Sequence, residues 1–268
     1  MLKVDINLHK IIKVFSMMFL YIIFLFIVFK YSFISDFSVL IATIISAFIV
    51  FLSIKSTKSY NVILSIVVFL TLSVIYWALF FQIFISLLVF INYCVDSTII
   101  NSTQMISIES LTVIILAYFM GRLWKYSKDN KINIKDIDKF NLGILFLTLG
   151  FISILFSIHF ASLSGKMGIS GFVVGYIFIG ISELCLSAVG LSVLTRLAPK
   201  GFVSLYMSIW LVTLGIGGKL SGVIASFIYI PSDNMMLARE NMSTGLIFFI
   251  IGGLITFTLT ILLRNKVN

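Results

Sequence analysis

The sequence predicts an all-α fold, a polytopic membrane helical bundle. Of the 268 residues, 60% are hydrophobic and only 11% are charged, and a soluble domain needs more polar surface than this composition supplies. The apolar runs are continuous and reach about twenty residues, the length with which an α-helix crosses the hydrocarbon core. A transmembrane β-barrel would instead alternate apolar and polar residues along each strand, so helices are favoured.

The apolar runs define eight predicted spans, which follow in chain order: residues 11–29, 37–54, 61–92, 105–123, 140–160, 170–198, 202–230 and 243–263. The third, sixth and seventh are longer than a perpendicular helix requires, which predicts tilt or extension beyond the bilayer. No small-residue cleavage site follows the first run, so we expect it to be a retained span rather than a signal peptide.

The basic residues predict the orientation. A net charge of +9 would be compatible with nucleic-acid binding in a soluble protein, but in a membrane protein an excess of Lys and Arg first reports topology. With eight spans, fifteen Lys and Arg fall on one side and three on the other. This asymmetry predicts an inner (plasma) membrane protein with both termini cytoplasmic, with the lipid bilayer as a partner and without a nucleic-acid partner.

Neither an enzyme nor a metal centre is indicated. The two cysteines, Cys94 and Cys185, are too few for a disulfide framework and lack metal-ligand spacing. No nucleophile and base occur at a recognisable spacing. We therefore predict no enzymatic activity, no cofactor and no metal site.

Three ionisable residues lie within the predicted spans: Glu109, Glu183 and Lys219. Each costs about 2.5–3.5 kcal/mol at the centre of a membrane helix, and such residues usually mark a substrate or ion pathway. A pathway is therefore the favoured interpretation. A Glu183–Lys219 pair that only fixes helix packing is the alternative.

Small residues accompany these charges. Gly171 and Gly175 form one GxxxG pair, and Gly218 and Gly222 form another; both pairs predict close helix approach. The glycines around Lys219 are compatible with a bending point as well as with ordinary tight packing.

Several motifs resemble one transporter family. The run from Glu183 to Pro199, ELCLSAVGLSVLTRLAP, resembles the pattern GELxLSPVGLSxxTKLAP in the tenth helix of the proton-dependent oligopeptide transporter (POT) family. The run from Tyr76 to Gln82, YWALFFQ, resembles the FWALFEQ motif of its seventh helix, and Val95 and Asp96 follow where the family has a VDR-like turn. The run from Tyr206 to Trp210 is similar to the start of its eleventh helix.

The resemblance implies an architecture. Residues 61–268 would be the C-terminal six-helix bundle of a major facilitator transporter, and residues 1–60 would be the two extra helices that many bacterial members carry between their halves. The N-terminal six-helix half, with its ExxER motif, has no counterpart in these 268 residues.

The resemblance also implies site residues. Glu183 corresponds to the carboxylate that receives the amino terminus of a peptide, and Trp210 corresponds to a tryptophan that lines the cavity. Ser187 lies in the same motif as Glu183. These three residues are the predicted substrate-binding set.

Three positions depart from the family pattern. Phe81 replaces a glutamate of the seventh helix that takes part in proton coupling, Glu109 stands where the eighth helix usually has Asn, and Lys219 lies where an uncharged residue is usual. Glu109, Lys219 and Gln82 are the predicted candidates for a proton or ion pathway.

The function expected from the resemblance is that of the C-terminal half of a proton-coupled di- and tripeptide symporter, which needs a separate N-terminal half. Its partners would then be small peptides and protons in addition to that half. Two alternatives remain open: a non-transporting remnant of a split transporter gene, and a membrane scaffold protein.

Overall fold

The computed structural model of the protein describes residue 16, residue 30 and the ranges 32–56, 60–98, 100–130, 134–161, 165–199 and 201–264. The chain divides into two compact units, residues 1–48 and residues 49–268. Most of the described residues belong to the second unit, which carries the candidate site. The predicted division at residue 60, into two extra helices and a six-helix bundle, stays a prediction.

Eight α-helices account for most of the described residues. They are α1 (Ser32–Ser56), α2 (Tyr60–Phe80), α3 (Ser86–Cys94), α4 (Ser102–Asp129), α5 (Asp136–His159), α6 (Ser170–Leu197), α7 (Val203–Ser226) and α8 (Met235–Leu263). No β-strand occurs among the described residues, where a single isolated bridge pairs Val95 with Met167. The all-α fold class is therefore confirmed.

Seven described segments are long and apolar enough to cross a membrane, with α2 and α3 counted together as one segment. They correspond to the second to eighth predicted spans, so the chain is a multi-pass membrane protein. The first predicted span, residues 11–29, lies outside the described residues. Most large side chains of α1 are exposed, among them Phe33, Phe37 and Phe48, as expected where the surrounding solvent is lipid.

Helices α1, α4, α5 and α8 extend by several residues beyond their predicted spans, most of all α4 and α8. Helix α4 continues to Asp129, through the first part of the polar stretch that follows the fourth apolar run. Helix α8 begins at Met235 rather than near residue 243, because the Asn234 side chain accepts a hydrogen bond from the backbone N–H of Leu237 and caps the helix.

The third predicted span is interrupted. Helix α2 ends at Phe80, a 3₁₀ turn follows at Phe81–Ile83, and α3 begins at Ser86. A break at membrane depth leaves backbone groups that need internal partners. The Tyr176 hydroxyl donates to the carbonyl oxygen of Ile83 at 3.2 Å, and the side chain of Gln82 binds across to α7. The break is therefore stabilised by other helices.

Helices α5 and α6 form the most extensive pair in the bundle, and glycines bring them together. A Cβ atom on Gly150 would lie 2.9 Å from the carbonyl oxygen of Gly175, and a Cβ on Gly175 would lie 2.6 Å from the side chain of Ile154. Neither position accommodates a side chain. The close approach predicted for the Gly171/Gly175 pair is thus observed, whereas Gly222 of the other pair has no neighbour within 4 Å.

Ion pairs join the helix ends near Asp136. Asp136 binds Arg196 at the end of α6 and Lys139 one turn along α5. Asp138 binds Arg264 after α8, at 2.6 Å between Oδ1 and Nε. The hydrogen bond from Arg264 to Asp138 raises the pKa of Arg264 above its usual value. Asp136 and Asp138 therefore each have a basic partner.

Candidate functional site

The candidate site begins with a glycine that brings α4 close to α6. A Cβ atom on Gly180 would lie 2.8 Å from the carbonyl oxygen of Glu109 and 2.9 Å from the Cβ of Thr112. Any larger residue at this position would push α4 away. Glu183 follows Gly180 by nearly one helical turn and therefore lies on the same side of α6.

The close approach places two carboxyl groups side by side. The Glu109 backbone lies directly against Gly180, and the Glu109 and Glu183 side chains line the same space between α4 and α6. Glu109 is 4% exposed and accepts a hydrogen bond from the Ser110 hydroxyl at 3.1 Å, while Glu183 is half-buried. Glu109 is thus a direct neighbour of Glu183, a pairing that the sequence analysis did not predict.

A cleft of about 450 Å³ contains this carboxyl pair. It lies between α2, α4, α6 and α7. Its described lining consists of Trp77, Phe80, Phe81, Phe84, Glu109, Ser110, Val113, Ile114, Glu183 and Leu214. Within that lining, Glu109 and Glu183 are the charged residues, and both are acidic. The cleft therefore combines two carboxyl groups with an otherwise largely apolar wall.

Aromatic rings form one wall of the cleft. Trp77 stacks on Phe81 with 5.5 Å between ring centroids, and Phe80 and Phe84 adjoin them. Gly217 of α7 allows Trp77 to pack closely, because a Cβ atom there would lie 2.4 Å from the Cβ of Trp77. The position of Trp77 is thus set by the contact between α2 and α7.

Trp77 also carries an unused donor. Its side chain is 4% exposed, and its indole Nε1 has no hydrogen-bond partner among the described residues. A buried donor without a partner costs about 1–3 kcal/mol, and an indole N–H usually finds one when it is buried. The Nε1 atom is itself enclosed, so this donor lies within the packed wall of the cleft. The sequence analysis did not single out this residue.

Tyr76 supports the region behind Glu183. Its hydroxyl forms a hydrogen bond of 2.8 Å with the Ser182 hydroxyl, and both side chains are buried. Ser182 directly precedes Glu183 on α6. This bond holds α2 against α6 next to the carboxyl pair, so it positions the site without lining the cleft.

The remaining predicted substrate-binding residues lie near the cleft but outside its described lining. Trp210 is buried against α6, where a Cβ atom on Gly190 would lie 1.9 Å from its Cη2 atom. Ser187 is half-buried one turn after Glu183. Of the three predicted residues, Glu183 alone is part of the described cleft lining.

The predicted pathway residues are also separated. Glu109 lines the cleft, whereas Gln82 is fully buried in a packing network. The Gln82 amide donates to the carbonyl oxygen and the hydroxyl of Ser221, both at 2.9 Å, and its Oε1 accepts from Ser86 at 2.7 Å. Lys219 is half-buried on α7 and is not part of the described cleft lining.

The arrangement suits the binding of a cation. Two adjacent carboxyl groups offer several oxygen acceptors, and aromatic faces attract ammonium and guanidinium groups. An uncompensated pair of carboxylates in a mostly apolar cleft would be costly. Occupation by a cation or by a proton would remove that cost.

Comparison with known proteins finds similarity to one family of transporters. The model of the POT family (PTR2) matches residues 28–241, more than half of the chain. The peptide transporter YePEPT of Yersinia enterocolitica is 27% identical over 164 residues, which are 60% of this chain and 32% of that protein. Dipeptide and tripeptide permease B of Aeromonas hydrophila is 31% identical over 118 residues, 44% of this chain and 23% of the permease.

Solved structures show the same fold. The crystal structure of a peptide transporter POT in complex with sulfate superimposes with a TM-score of 0.74 at 20% identity, over 97% of this chain and 54% of the other. A second structure, from work on substrate recognition in proton-dependent oligopeptide transporters, gives a TM-score of 0.78 at 18% identity over 99% of this chain and 56% of the other. The chain therefore spans about a third or less of these curated relatives and about half of these solved chains.

Proposed function

This chain belongs to the POT family, and from that premise we propose that it is the C-terminal half of a proton-coupled di- and tripeptide symporter. The observation that carries the proposal is Glu183 in a cleft with an aromatic wall. A carboxylate in such a cleft suits the amino terminus of a short peptide, since an ammonium group donates hydrogen bonds to carboxylate oxygens.

A second six-helix half would complete the site. In transporters built from two such halves, the substrate site lies at their interface near the bilayer midplane. The cleft has Glu183 on α6 and aromatic residues on α2, so this bundle supplies half of such a site. The other half would be supplied from outside these 268 residues.

Glu109 is the proposed proton carrier. Phe81, which stands where the family has a glutamate, cannot bind a proton. Its ring lines the same cleft as Glu109 and Glu183, so a carboxyl group is present close to the altered position. Among the three pathway candidates Glu109 is favoured, because Gln82 is committed to hydrogen bonds with Ser221 and Ser86.

Dipeptide uptake tests the proposal. We expect proteoliposomes that contain this chain and a matching N-terminal half to accumulate a labelled dipeptide under an imposed pH gradient. The chain alone should give no uptake. The variant Glu183→Gln should abolish uptake, whereas Glu240→Gln, which alters an exposed glutamate on α8, should leave it unchanged.

Three outcomes would contradict the proposal. Uptake by the purified chain as a monomer would show that a second half is unnecessary. Full uptake by Glu183→Gln would remove that residue from the site. Absence of uptake in every combination, with correctly folded protein, would favour the non-transporting alternative.

We also propose that both termini are cytoplasmic, as the charge asymmetry predicts. Lys128→Cys should then be labelled from the cytoplasmic side by an impermeant thiol reagent, and Lys166→Cys from the outside. Both positions are exposed. The native Cys94 and Cys185 are fully buried, so background labelling should be low. The reverse labelling pattern would contradict this topology.

A further inference from the structure

The cleft presents two acidic groups to any ligand rather than one. The side chains of Glu109 and Glu183 both line the cleft, and its described lining contains no basic residue. A ligand with a single ammonium group would compensate one carboxylate and leave the other. A ligand with two positive charges would compensate both.

The other walls of the cleft also suit an organic cation. Four aromatic rings, those of Trp77, Phe80, Phe81 and Phe84, lie beside the carboxyl pair, and ring faces attract cations while packing against aliphatic chains. A basic side chain has an aliphatic stem and a charged head. It would therefore find both kinds of contact in this cleft.

We propose that Glu109 and Glu183 together form a subsite for a doubly cationic amino terminus, that is, for short peptides whose first residue is Lys or Arg. This inference rests on the proposed function and specifies its substrate class. Glu109 is the residue that determines specificity, because in its deprotonated form it adds the second carboxylate. The second positive charge of such a peptide then takes the place of the proton that Glu109 carries with a neutral peptide.

Ligand binding to the full chain in lipid nanodiscs, with the N-terminal half present, tests the inference. The probes are Lys-Ala, Ala-Ala and 1,4-diaminobutane, measured by equilibrium dialysis. We expect Lys-Ala to bind about tenfold more tightly than Ala-Ala, the factor that corresponds to one charge-assisted hydrogen bond. Glu109→Gln should bring the two peptides to equal affinity.

A second variant guards against misfolding of the first. Glu109→Asp keeps the carboxylate on a shorter side chain, so it should retain a preference for Lys-Ala over Ala-Ala that Glu109→Gln loses. Glu240→Gln is the matched control for loss of a glutamate and should change none of the three affinities.

The outcomes separate the two proposals. Equal binding of Lys-Ala and Ala-Ala, or a preference that survives Glu109→Gln, would overturn the doubly cationic subsite while peptide transport could still hold. Binding of the diamine that depends on Glu109, without binding of either peptide, would support the cation pair and overturn the peptide function. Binding of none of the probes would overturn the subsite.

Discussion

Two helix contacts in this bundle are built from different chemistry. Between α5 and α6, glycines on each helix pack against isoleucine side chains of the other. The two backbones approach so closely that Gly150 lies against Gly175. Polar side chains pair instead where α7 packs on α2 and on the turn that follows it. Ser73 of α2 binds Thr213 at 2.7 Å, and Gln82 of the turn binds Ser221. The first contact depends mainly on shape, with one hydrogen bond of 3.1 Å from the Ser153 hydroxyl to the Gly171 carbonyl oxygen. The second combines a close approach at Gly217 with hydrogen bonds between side chains.

The two helix contacts also differ in whether their helices line the cleft. Helices α2 and α7 both contribute residues to the cleft wall, whereas α5 contributes none to its described lining. Hydrogen bonds between side chains tolerate small displacements better than interlocked backbones do. The contact that depends on shape therefore serves as the scaffold, and the one with polar pairs lies next to the site.

The largest expected effect is that of filling the glycine contact. Gly150→Leu would force a side chain against the Gly175 carbonyl oxygen, which cannot move without displacing α6. We expect a loss of about 3 kcal/mol or more of stability, measured as a lower thermal midpoint by fluorescence-detected size-exclusion chromatography. A normal midpoint would show that α5 and α6 are not held as closely as described.

Loss of the buried amide should have the next largest effect. Gln82→Leu keeps the volume but leaves the hydroxyls of Ser86 and Ser221 without their partner. We expect a cost of about 1–3 kcal/mol, measured by reversible unfolding in SDS. If Gln82 instead serves a proton pathway, the variant should lose uptake while keeping its stability, and that result would contradict the packing role.

The hydroxyl pair across α2 and α7 should contribute less. Ser73→Ala, Thr213→Ala and the double variant form a double-mutant cycle around one buried hydrogen bond. Interhelical bonds of this kind average about 0.6 kcal/mol in membrane proteins. A coupling energy above about 2 kcal/mol would indicate that this contact is as rigid as the glycine contact.

The smallest effect is expected at the second GxxxG pair. Gly222→Leu is the matched counterpart of Gly150→Leu, but a Cβ atom on Gly222 would meet nothing within 4 Å. We expect a change within about 0.5 kcal/mol, in the same thermal assay. A large destabilisation at both positions would remove the contrast between the packed Gly150 and the open Gly222.

Hydropathy and a few small residues predicted most of the fold. The second to eighth spans, the Gly171/Gly175 contact and the presence of Glu183 in a cleft follow from long apolar runs, small-residue spacing and the cost of a charge in lipid. These signals are local in the chain or depend on composition alone. They can therefore be recognised in a single sequence without knowledge of the contacts between helices.

The parts that the sequence did not predict depend on contacts between distant segments. No Gly or Pro occurs between residues 61 and 92, so no residue in this run predicts the break at Phe81–Ile83. The break is stabilised by Tyr176, which lies on α6. The pairing of Glu109 with Glu183 depends on the close approach at Gly180. Gln82 stays a predicted pathway candidate, and its hydrogen bond to Ser221 on α7 likewise depends on a distant segment.

The interrupted third span has a mechanical consequence. A continuous helix resists bending along its whole length, but around Phe81–Ile83 the regular i→i−4 bonds are lost and stiffness falls locally. On one side of this joint α2 packs on α7, and on the other side α3 packs on α8 and α4. A displacement of α7 relative to α8 would therefore bend the chain mainly at Phe81–Ile83. Phe81 and Phe84 border the cleft at this point. Bending of the chain and binding of a ligand would then move the same few residues.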